Sequence, residues 1–248
     1  MEPVISFRRV SYGVRGKEIL RDLDLDVFAG ETLVLLGRSG AGKTTALRMV
    51  NALLFPTSGD VFVEGRSTRA WDAIRLRRRI GYVLQDAGLF PHFTVAENVG
   101  LVPSLEGWES ARINARVDEL LGRVGLEPAE FRGRMPRQLS GGQRQRVGVV
   151  RALAAEPAIL LMDEPFAALD PLTRRTLQRE FVRLRKSWTK TSLFVTHDVR
   201  EALGLATRVA LLSGGRIDTL GTPREFLAAA GDEARTFLAG LDWKLEDA

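Results

Sequence analysis

The sequence has no cysteine and only two histidines, His92 and His197. The lack of cysteine excludes disulfides, thiolate metal sites and a cysteine nucleophile. Two histidines are too few for a metal site built from histidine alone. Long apolar runs are also missing, whereas a membrane-spanning helix needs roughly 18 such residues or more. Residues 1–4 have neither the basic nor the apolar part of a signal peptide, so we expect any membrane role to come through a partner.

The composition is that of an ordinary globular protein. Its residues are 45% hydrophobic and 27% charged. A length of 248 residues suffices for one sizeable α/β domain with its own core. The net charge is +5, but the basic residues are spread along the chain among 31 acidic ones. A nucleic-acid interface would concentrate them on one face, with aromatic residues between them. We therefore predict no nucleic-acid partner.

Strand patterns are found in both halves of the chain. Leu23, Leu25 and Val27 alternate with two aspartates, which predicts a half-buried strand. Together with residues 4–12 and 61–63 it forms a predicted small antiparallel sheet. Residues 32–36 are a short apolar run of the kind found in parallel strands covered on both faces. Further strands are predicted at 158–162, 191–196 and 209–212.

Helical periodicity replaces the strand patterns from about residue 93 to residue 157. Three predicted helices, the second of them inside this region, are defined by apolar stripes and their end signals. Their stripe residues are Ala46, Leu47, Val50, Leu53 and Leu54, closed by Phe55 and Pro56; then Ile113, Val117, Leu120, Leu121 and Val124, with Gly125 as C-cap; and finally Leu177, Phe181, Leu184 and Trp188. Strand–helix alternation on both sides of a helical insert predicts a parallel-sheet core that is interrupted in sequence by a helical subdomain.

A phosphate-binding loop follows the strand at 32–36. Its eight residues match G-x-x-x-x-G-K-[ST] in full: Gly37, Arg38, Ser39, Gly40, Ala41, Gly42, Lys43 and Thr44. The glycines allow backbone N–H groups to surround phosphates, Lys43 reaches the β- and γ-phosphates, and the Thr44 hydroxyl is a Mg²⁺ ligand. The next residue, Thr45, lies in the first turn of the helix whose positive dipole end adds to the anion site.

Two acids, Asp163 and Glu164, end the apolar strand at 158–162. Ligands of open parallel sheets bind beyond the carboxyl ends of the strands, so we expect these acids beside the phosphate loop. Asp163 suits a Mg²⁺ shell, directly or through water. Glu164 can orient and deprotonate an attacking water molecule.

A phosphate loop alone leaves kinases, GTPases, recombinases and many motors open. The segment 139–143, Leu-Ser-Gly-Gly-Gln, excludes most of them. Ser140 is a predicted N-cap, Gly141 and Gly142 expose the helix N-terminus to phosphate, and Gln143 completes the segment. The helix carries Val147, Val150, Leu153 and Ala154 as its apolar stripe and stops at Pro157. The start of this helix would be a second anion site, remote in sequence from the phosphate loop. Two such sites make sense if each binds one end of an ATP molecule held between two chains.

With this segment the sequence resembles the nucleotide-binding subunits of ABC transporters over nearly its whole length. The resemblance implies an α/β P-loop NTPase fold: a RecA-like core (1–91 and 158–230) with an antiparallel β subdomain, a helical subdomain (92–157) and a C-terminal tail (231–248). It implies that Tyr12 stacks on adenine, although a core tyrosine is the alternative. The resemblance also implies that Gln85 joins the Mg²⁺ shell and senses the permease, that Asp170 belongs to the loop that crosses the dimer interface, and that His197 contacts the γ-phosphate. Ala167 stands where that loop usually has serine, and its effect is left open.

The same resemblance implies an ATPase that works as a homodimer, or paired with a similar subunit, at the cytoplasmic face of the membrane. Its expected partners are a transmembrane permease and a substrate-binding protein, and its ligands are ATP and Mg²⁺. Residues 80–98 look most like importers of quaternary amines such as glycine betaine, choline and carnitine. Residues 102–103, 107–108 and 174–180 add to that likeness. The chain has no room for the regulatory CBS domains of many such subunits, so ionic-strength sensing is left open. An amino-acid or lipid transporter and a DNA-repair or chromosome-type ATPase are the alternatives.

Overall fold

The computed structural model describes residues 2–167, 169–187, 190–228 and 232–239. The chain divides into two compact units, Met1–Trp71 with Thr191–Ala248, and Asp72–Lys190. The predicted subdivision into a core (1–91 and 158–230), a helical subdomain (92–157) and a tail (231–248) stays a prediction. Among the described residues, no helix is both long enough and apolar enough to span a bilayer.

The first unit contains an antiparallel sheet, as predicted. Its strands are β1 (Pro3–Val14), β2 (Lys17–Phe28), β4 (Ser58–Val63) and β5 (Arg66–Ser67), in the order β2-β1-β4-β5. Leu23, Leu25 and Val27 are buried, with at most 2% of each side chain exposed. The alternation with Asp24 and Asp26 therefore reports a strand that is buried on one face.

Four strands of a second, mixed sheet also lie in this unit. They are β3 (Thr32–Leu36), β8 (Thr191–Thr196), β9 (Arg208–Ser213) and β10 (Arg216–Gly221). β8, β3 and β9 are parallel neighbours, and β10 is antiparallel to β9. All five residues of β3 are buried, which confirms the reading of its apolar run. The helices of the unit are α1 (Lys43–Val50), α8 (Val199–Leu205), α9 (Pro223–Ala228) and α10 (Asp232–Ala239).

Helix α1 is shorter than predicted, which corrects the expectation that it continues to Leu54. It ends at Val50, and Ala52 has a left-handed backbone with φ 54°. The N–H groups of Leu53 and Leu54 both donate to the carbonyl of Arg48, a pattern that satisfies the last carbonyls of a helix. Leu53 is 48% exposed, so it does not belong to the buried stripe.

The second unit holds most of the helices and one pair of parallel strands. Its strands are β6 (Ile80–Val83) and β7 (Ile159–Asp163). Its helices are α2 (Ala73–Arg79), α3 (Val95–Leu105), α4 (Ser110–Arg123), α5 (Pro128–Phe131), α6 (Gly141–Leu153) and α7 (Pro171–Ser187), with a 3₁₀ turn at Pro136–Gln138. The predicted change from strands to helices after residue 93 is confirmed.

Helices α4 and α6 follow their predicted stripes, and α7 does so at the two stripe residues that are described. In α6, Val147, Val150, Leu153 and Ala154 are buried. In α4, Val117, Leu120 and Leu121 are buried, and Gly125 lies just beyond its end with φ 68°. In α7, Leu177 and Phe181 are buried. The side chains of Leu184 and Trp188, which complete that predicted stripe, lie outside the described residues.

Candidate functional site

The phosphate loop joins the C-terminal end of β3 to the N-terminus of α1. Lys43 is only 5% exposed, and its ammonium donates to the carbonyls of Gly37 at 2.8 Å and Arg38 at 3.0 Å. Its charge is therefore held inside the curve of the loop, where an anion would enter. Gly42 has φ 103°, and a Cβ there would lie 2.7 Å from Leu20 Cδ2. A side chain at Gly37 would lie 2.4 Å from the Leu212 carbonyl.

A cleft of about 280 Å³ opens beside this loop within the first unit. Arg38, Ser39, Gly40 and Ala41 form its wall on the loop side, facing the first residues of β2 and the turn between β9 and β10. The cleft residues with basic side chains are Lys17, Arg21 and Arg38, and Arg21 is paired at 3.1 Å with Glu18, the acidic residue of the lining. Positive charge of this kind, together with the N-terminus of α1, suits a phosphorylated ligand. Thr44 and Thr45, in the first turn of α1, are half-buried.

The register of β3 and β8 brings His197 to the same sheet edge as the phosphate loop. Leu36 of β3 pairs with Thr196 of β8, and Gly37 and His197 follow them directly. His197 is exposed. Tyr12 is half-buried and pairs with Leu20, the residue that packs against Gly42. The first unit therefore brings together Tyr12, the phosphate loop and His197.

In the second unit, Gln85 and the two acids follow neighbouring strand ends. Val83 of β6 pairs with Met162 of β7. Gln85 is exposed, whereas Asp163 is 6% exposed at the end of β7. Glu164 has a left-handed backbone with φ 43°, which is uncommon for residues with side chains and concentrated at functional sites. Nothing in the sequence indicated this conformation.

The segment 139–143 starts α6 as predicted. The Ser140 hydroxyl accepts from the N–H of Gln143 at 3.2 Å, and the Gln143 carboxamide accepts from the N–H of Ser140 at 2.9 Å. This capping box closes the helix start with two side chains of the segment. Ser140 and Gly141 are exposed, and a Cβ on Gly142 would lie 3.2 Å from Thr173 Cγ2. The helix N-terminus is thus open to a ligand from outside the unit.

Helix α6 also holds the segment that follows β6, a relationship that the sequence analysis missed. Gln145 is 2% exposed, and its carboxamide donates to the Leu84 carbonyl at 3.1 Å. The Arg151 guanidinium donates to the carbonyls of Ala87 and Gly88, both at 2.7 Å. Gln85 therefore lies in a stretch whose backbone is bonded to α6 on both sides.

Asp170 has a local structural role. Its carboxylate accepts from the N–H groups of Leu172 at 3.1 Å and Thr173 at 3.0 Å, which caps α7 and lowers the pKa of Asp170. The Arg174 guanidinium donates to the carbonyl of Ala167, which fixes the preceding loop. Ala168 lies outside the described residues. Binding of Asp170 across a dimer interface stays a prediction.

The donor atoms expected for Mg²⁺ suit that ion by type. They are the hydroxyl of Thr44, the carboxamide oxygen of Gln85 and the carboxylate of Asp163. No cluster of three or more His, Cys, Asp or Glu side chains occurs among the described residues. Mg²⁺ at nucleotide sites typically takes one or two carboxylates plus phosphate oxygens and water, so a single carboxylate with neutral oxygen donors fits it.

Comparison with known proteins shows where this arrangement recurs. Residues 20–167, more than half of the chain, match the family described as ABC transporter. The glycine betaine/carnitine/choline transport ATP-binding protein OpuCA of Bacillus subtilis is 49% identical over 218 residues, 88% of this chain and 57% of that protein. The glycine betaine uptake system ATP-binding protein YehX of Escherichia coli is 46% identical over 94% of this chain and 76% of that protein.

A solved structure extends the comparison to the fold. It is the dimeric, post-hydrolysis state of an ATP-binding cassette bound to ADP and Pi, with 32% identity and a TM-score of 0.80. The similarity covers 89% of this chain and 99% of that one. This chain spans little more than half the length of the Bacillus relative. It has the P-loop NTPase fold of an ATP-binding cassette, and it belongs to the ABC transporter family.

Proposed function

We propose that this chain binds and hydrolyses ATP as the nucleotide-binding subunit of an ABC importer. The observation that carries the proposal is the phosphate loop, in which the ammonium of Lys43 is held by the Gly37 and Arg38 carbonyls. A triphosphate entering the loop would replace these carbonyls with more strongly charged acceptors. Backbone N–H groups of the loop and of α1 would bind the remaining phosphate oxygens.

The other predicted residues take part in the chemistry as follows. Glu164 acts as general base on the attacking water, and His197 contacts the γ-phosphate. Tyr12 stacks on the adenine. Thr44, Asp163 and Gln85 hold Mg²⁺, which when bound neutralises charge that develops on the phosphates. The position of Glu164 directly after Asp163, at the carboxyl end of β7, supports this role.

Two copies would sandwich two ATP molecules. Residues 140–143 of one copy would face the γ-phosphate end of the nucleotide held by the other, and Asp170 would lie at their interface. The exposed, capped N-terminus of α6 supports this arrangement. The similar solved cassette is itself dimeric.

A groove between α3 and α4 is the proposed docking site for a permease helix. Its volume is about 380 Å³, and its lining is apolar at Phe93, Leu101, Ile113 and Val117 and polar at Glu97, Ser104, Ser110 and Asn114. Phe90, three residues from the groove, is 43% exposed. Apolar grooves of this kind accept amphipathic helices, and its lining begins eight residues after Gln85. The subunit would thus bind peripherally at the cytoplasmic face, with a substrate-binding protein completing the importer.

Quaternary amines are the proposed solutes. Support comes from the names of the Bacillus and E. coli relatives, both of which concern glycine betaine. Another solute, such as an amino acid or a lipid, is the alternative, because the ATPase subunit does not touch the solute. A DNA-repair or chromosome-type ATPase would be expected to carry a long coiled coil or a zinc module, and α3 to α6 form neither within the described residues.

The test has two parts. The purified chain should bind and hydrolyse ATP, and Lys43→Ala should lose binding. The chain co-purified with its permease, reconstituted in vesicles, should drive ATP-dependent uptake of radiolabelled glycine betaine or choline. Hydrolysis together with uptake of only another solute would contradict the substrate, whereas no hydrolysis would contradict the ATPase.

A further inference from the structure

Residues on both sides of His197 are joined by hydrogen bonds through the hydroxyl of Thr196. The hydroxyl of Thr196 donates to the carboxylate of Glu201 at 2.7 Å, and both residues are buried, with 1% and 6% exposure. The same hydroxyl accepts from the N–H of Asp198 at 3.0 Å. The residues immediately before and after His197 are thus bonded to each other and to the first turn of α8.

The direction of these bonds follows from the chemistry of the hydroxyl. Threonine has one O–H proton and two acceptor lone pairs. Because the backbone N–H of Asp198 can only donate, it uses one lone pair, and the hydroxyl proton remains for Glu201. A buried hydrogen bond to a carboxylate is stronger than one between neutral groups. Glu201 therefore fixes the orientation of the Thr196 hydroxyl.

The two ends of this set belong to rigid elements. Thr196 is the last residue of β8 and pairs with Leu36 of β3, directly before the phosphate loop. Asp198 caps α8, since its carboxylate accepts from the N–H groups of Arg200 at 2.8 Å and Glu201 at 3.3 Å. The backbone on both sides of His197 is therefore fixed, while its imidazole is exposed.

We propose that Thr196 and Glu201 are positioning residues that hold the imidazole of His197 at the γ-phosphate during ATP hydrolysis. The inference rests on the proposed function. The Thr196 hydroxyl accepts from the N–H of Asp198, and Asp198 caps α8, so the backbone that carries the imidazole is fixed on both sides. Small displacements of a group that contacts the reacting atoms lower rates steeply, by as much as about 100-fold for 1 Å.

Two substitutions at Thr196 separate the hydroxyl from the shape of the side chain. Thr196→Ser keeps the hydroxyl, and Thr196→Val keeps the shape. We expect Thr196→Val to lower kcat about tenfold or more with its Kd for ATP within about twofold of wild type. Thr196→Ser should stay within about threefold in kcat. Thermal unfolding of both variants checks that they are folded.

A second pair of substitutions tests the carboxylate of Glu201. It also tests the proposal if Thr196→Val does not fold. Glu201→Gln retains an acceptor oxygen for the Thr196 hydroxyl, whereas Glu201→Met retains none. The loss in kcat should therefore be larger in Glu201→Met. Equal losses in the two variants, or an unchanged rate in Glu201→Met, would overturn the role of Glu201.

A double-mutant cycle distinguishes positioning from stability alone. If Thr196 acts through the imidazole, Thr196→Val should cause no further loss of single-turnover rate in a His197→Ala background. The same fold loss in both backgrounds would overturn the proposal, as would a folded Thr196→Val with wild-type kcat. A wild-type chain that hydrolyses no ATP would overturn the proposed function and, with it, this role.

Discussion

The guanidinium of Arg151 donates a 2.7 Å hydrogen bond to the carbonyl oxygen of Ala87, a residue 64 positions earlier in the chain. Ala87 is buried and has a left-handed backbone with φ 58°, and Gly88, also bonded to Arg151, has φ 56°. One charged side chain on α6 thus stabilises an unusual turn two residues after Gln85. Burial lowers the pKa of Arg151, but an arginine stays charged at any physiological pH.

Arg151→Lys should destabilise this turn. Lysine keeps the charge but lacks the planar fork that donates to two carbonyls at once. We expect the free energy of unfolding to fall by about 1.5 kcal/mol, the lower end of the range for a hydrogen bond to a charged group, because these bonds are only partly buried. Urea denaturation measures it. Arg137→Lys is the matched control, because Arg137 is exposed and should tolerate the change; equal losses at both sites would contradict the account.

Gly148→Ala should also act through Ala87. A Cβ at Gly148 would lie 3.1 Å from the Ala87 Cβ and 3.2 Å from its Cα, and Arg151 prevents Ala87 from moving away. The strain should outweigh the helix-propensity gain of about 1 kcal/mol, so that the variant unfolds at lower temperature. Gly122→Ala in α4 has open space around its Cβ and should unfold at higher temperature. A stabilised Gly148→Ala would show that the turn is free to shift.

Glu31 should give the protein a pH-dependent stability of defined sign. Burial is the main influence and raises its pKa, while the N–H of Phe28 and the charge of Arg208 lower it. Protonated Glu31 therefore stabilises the folded state. This contribution is complete below the pKa of Glu31 in the unfolded chain, near 4.3, and is lost as the pH rises through its pKa in the folded protein. The unfolding free energy of wild type relative to Glu31→Gln should therefore decrease from acidic to neutral pH.

Glu225→Gln, measured over the same pH range, should show the opposite pH dependence of stability. The N–H and hydroxyl of Thr222 lower the pKa of Glu225, so its stabilisation is present above the unfolded pKa and lost on acidification. The unfolding free energy of wild type, measured relative to that of Glu225→Gln, should therefore increase from acidic to neutral pH. If the Glu31 comparison showed this same slope, the Phe28 hydrogen bond and the Arg208 ion pair together would outweigh burial.

Local sequence patterns predicted much of the fold and the start of α6. The bonds that cap α6, between Ser140 and Gln143, span only three residues, so the segment itself determines them. The strand β3 is equally evident, because all five of its residues are buried. The hairpin of β9 and β10 was missed although Gly214 and Gly215, followed by alternating residues, indicated a turn and a strand.

Contacts between distant residues could not be read in this way. The bonds from Gln145 to Leu84 and from Arg151 to Ala87 depend on how α6 packs beside β6, which no local pattern encodes. The early end of α1 depends on the left-handed backbone of Ala52, although alanine by itself favours a continued helix. In the sequence, Arg151 looks like any other arginine in a helix, and Ala52 looks like a residue that continues α1.

The most direct test of the catalytic assignment is the rate of ATP hydrolysis by Glu164→Gln, measured beside a wild-type chain that is expected to hydrolyse ATP. Glutamine keeps the size of the side chain but cannot accept a proton from water, so we expect turnover to fall at least about 100-fold. ATP binding should persist, and ATP-dependent dimers should accumulate on gel filtration, whereas Lys43→Ala should lose ATP binding. Wild-type turnover by Glu164→Gln would contradict the assignment of Glu164 as the general base.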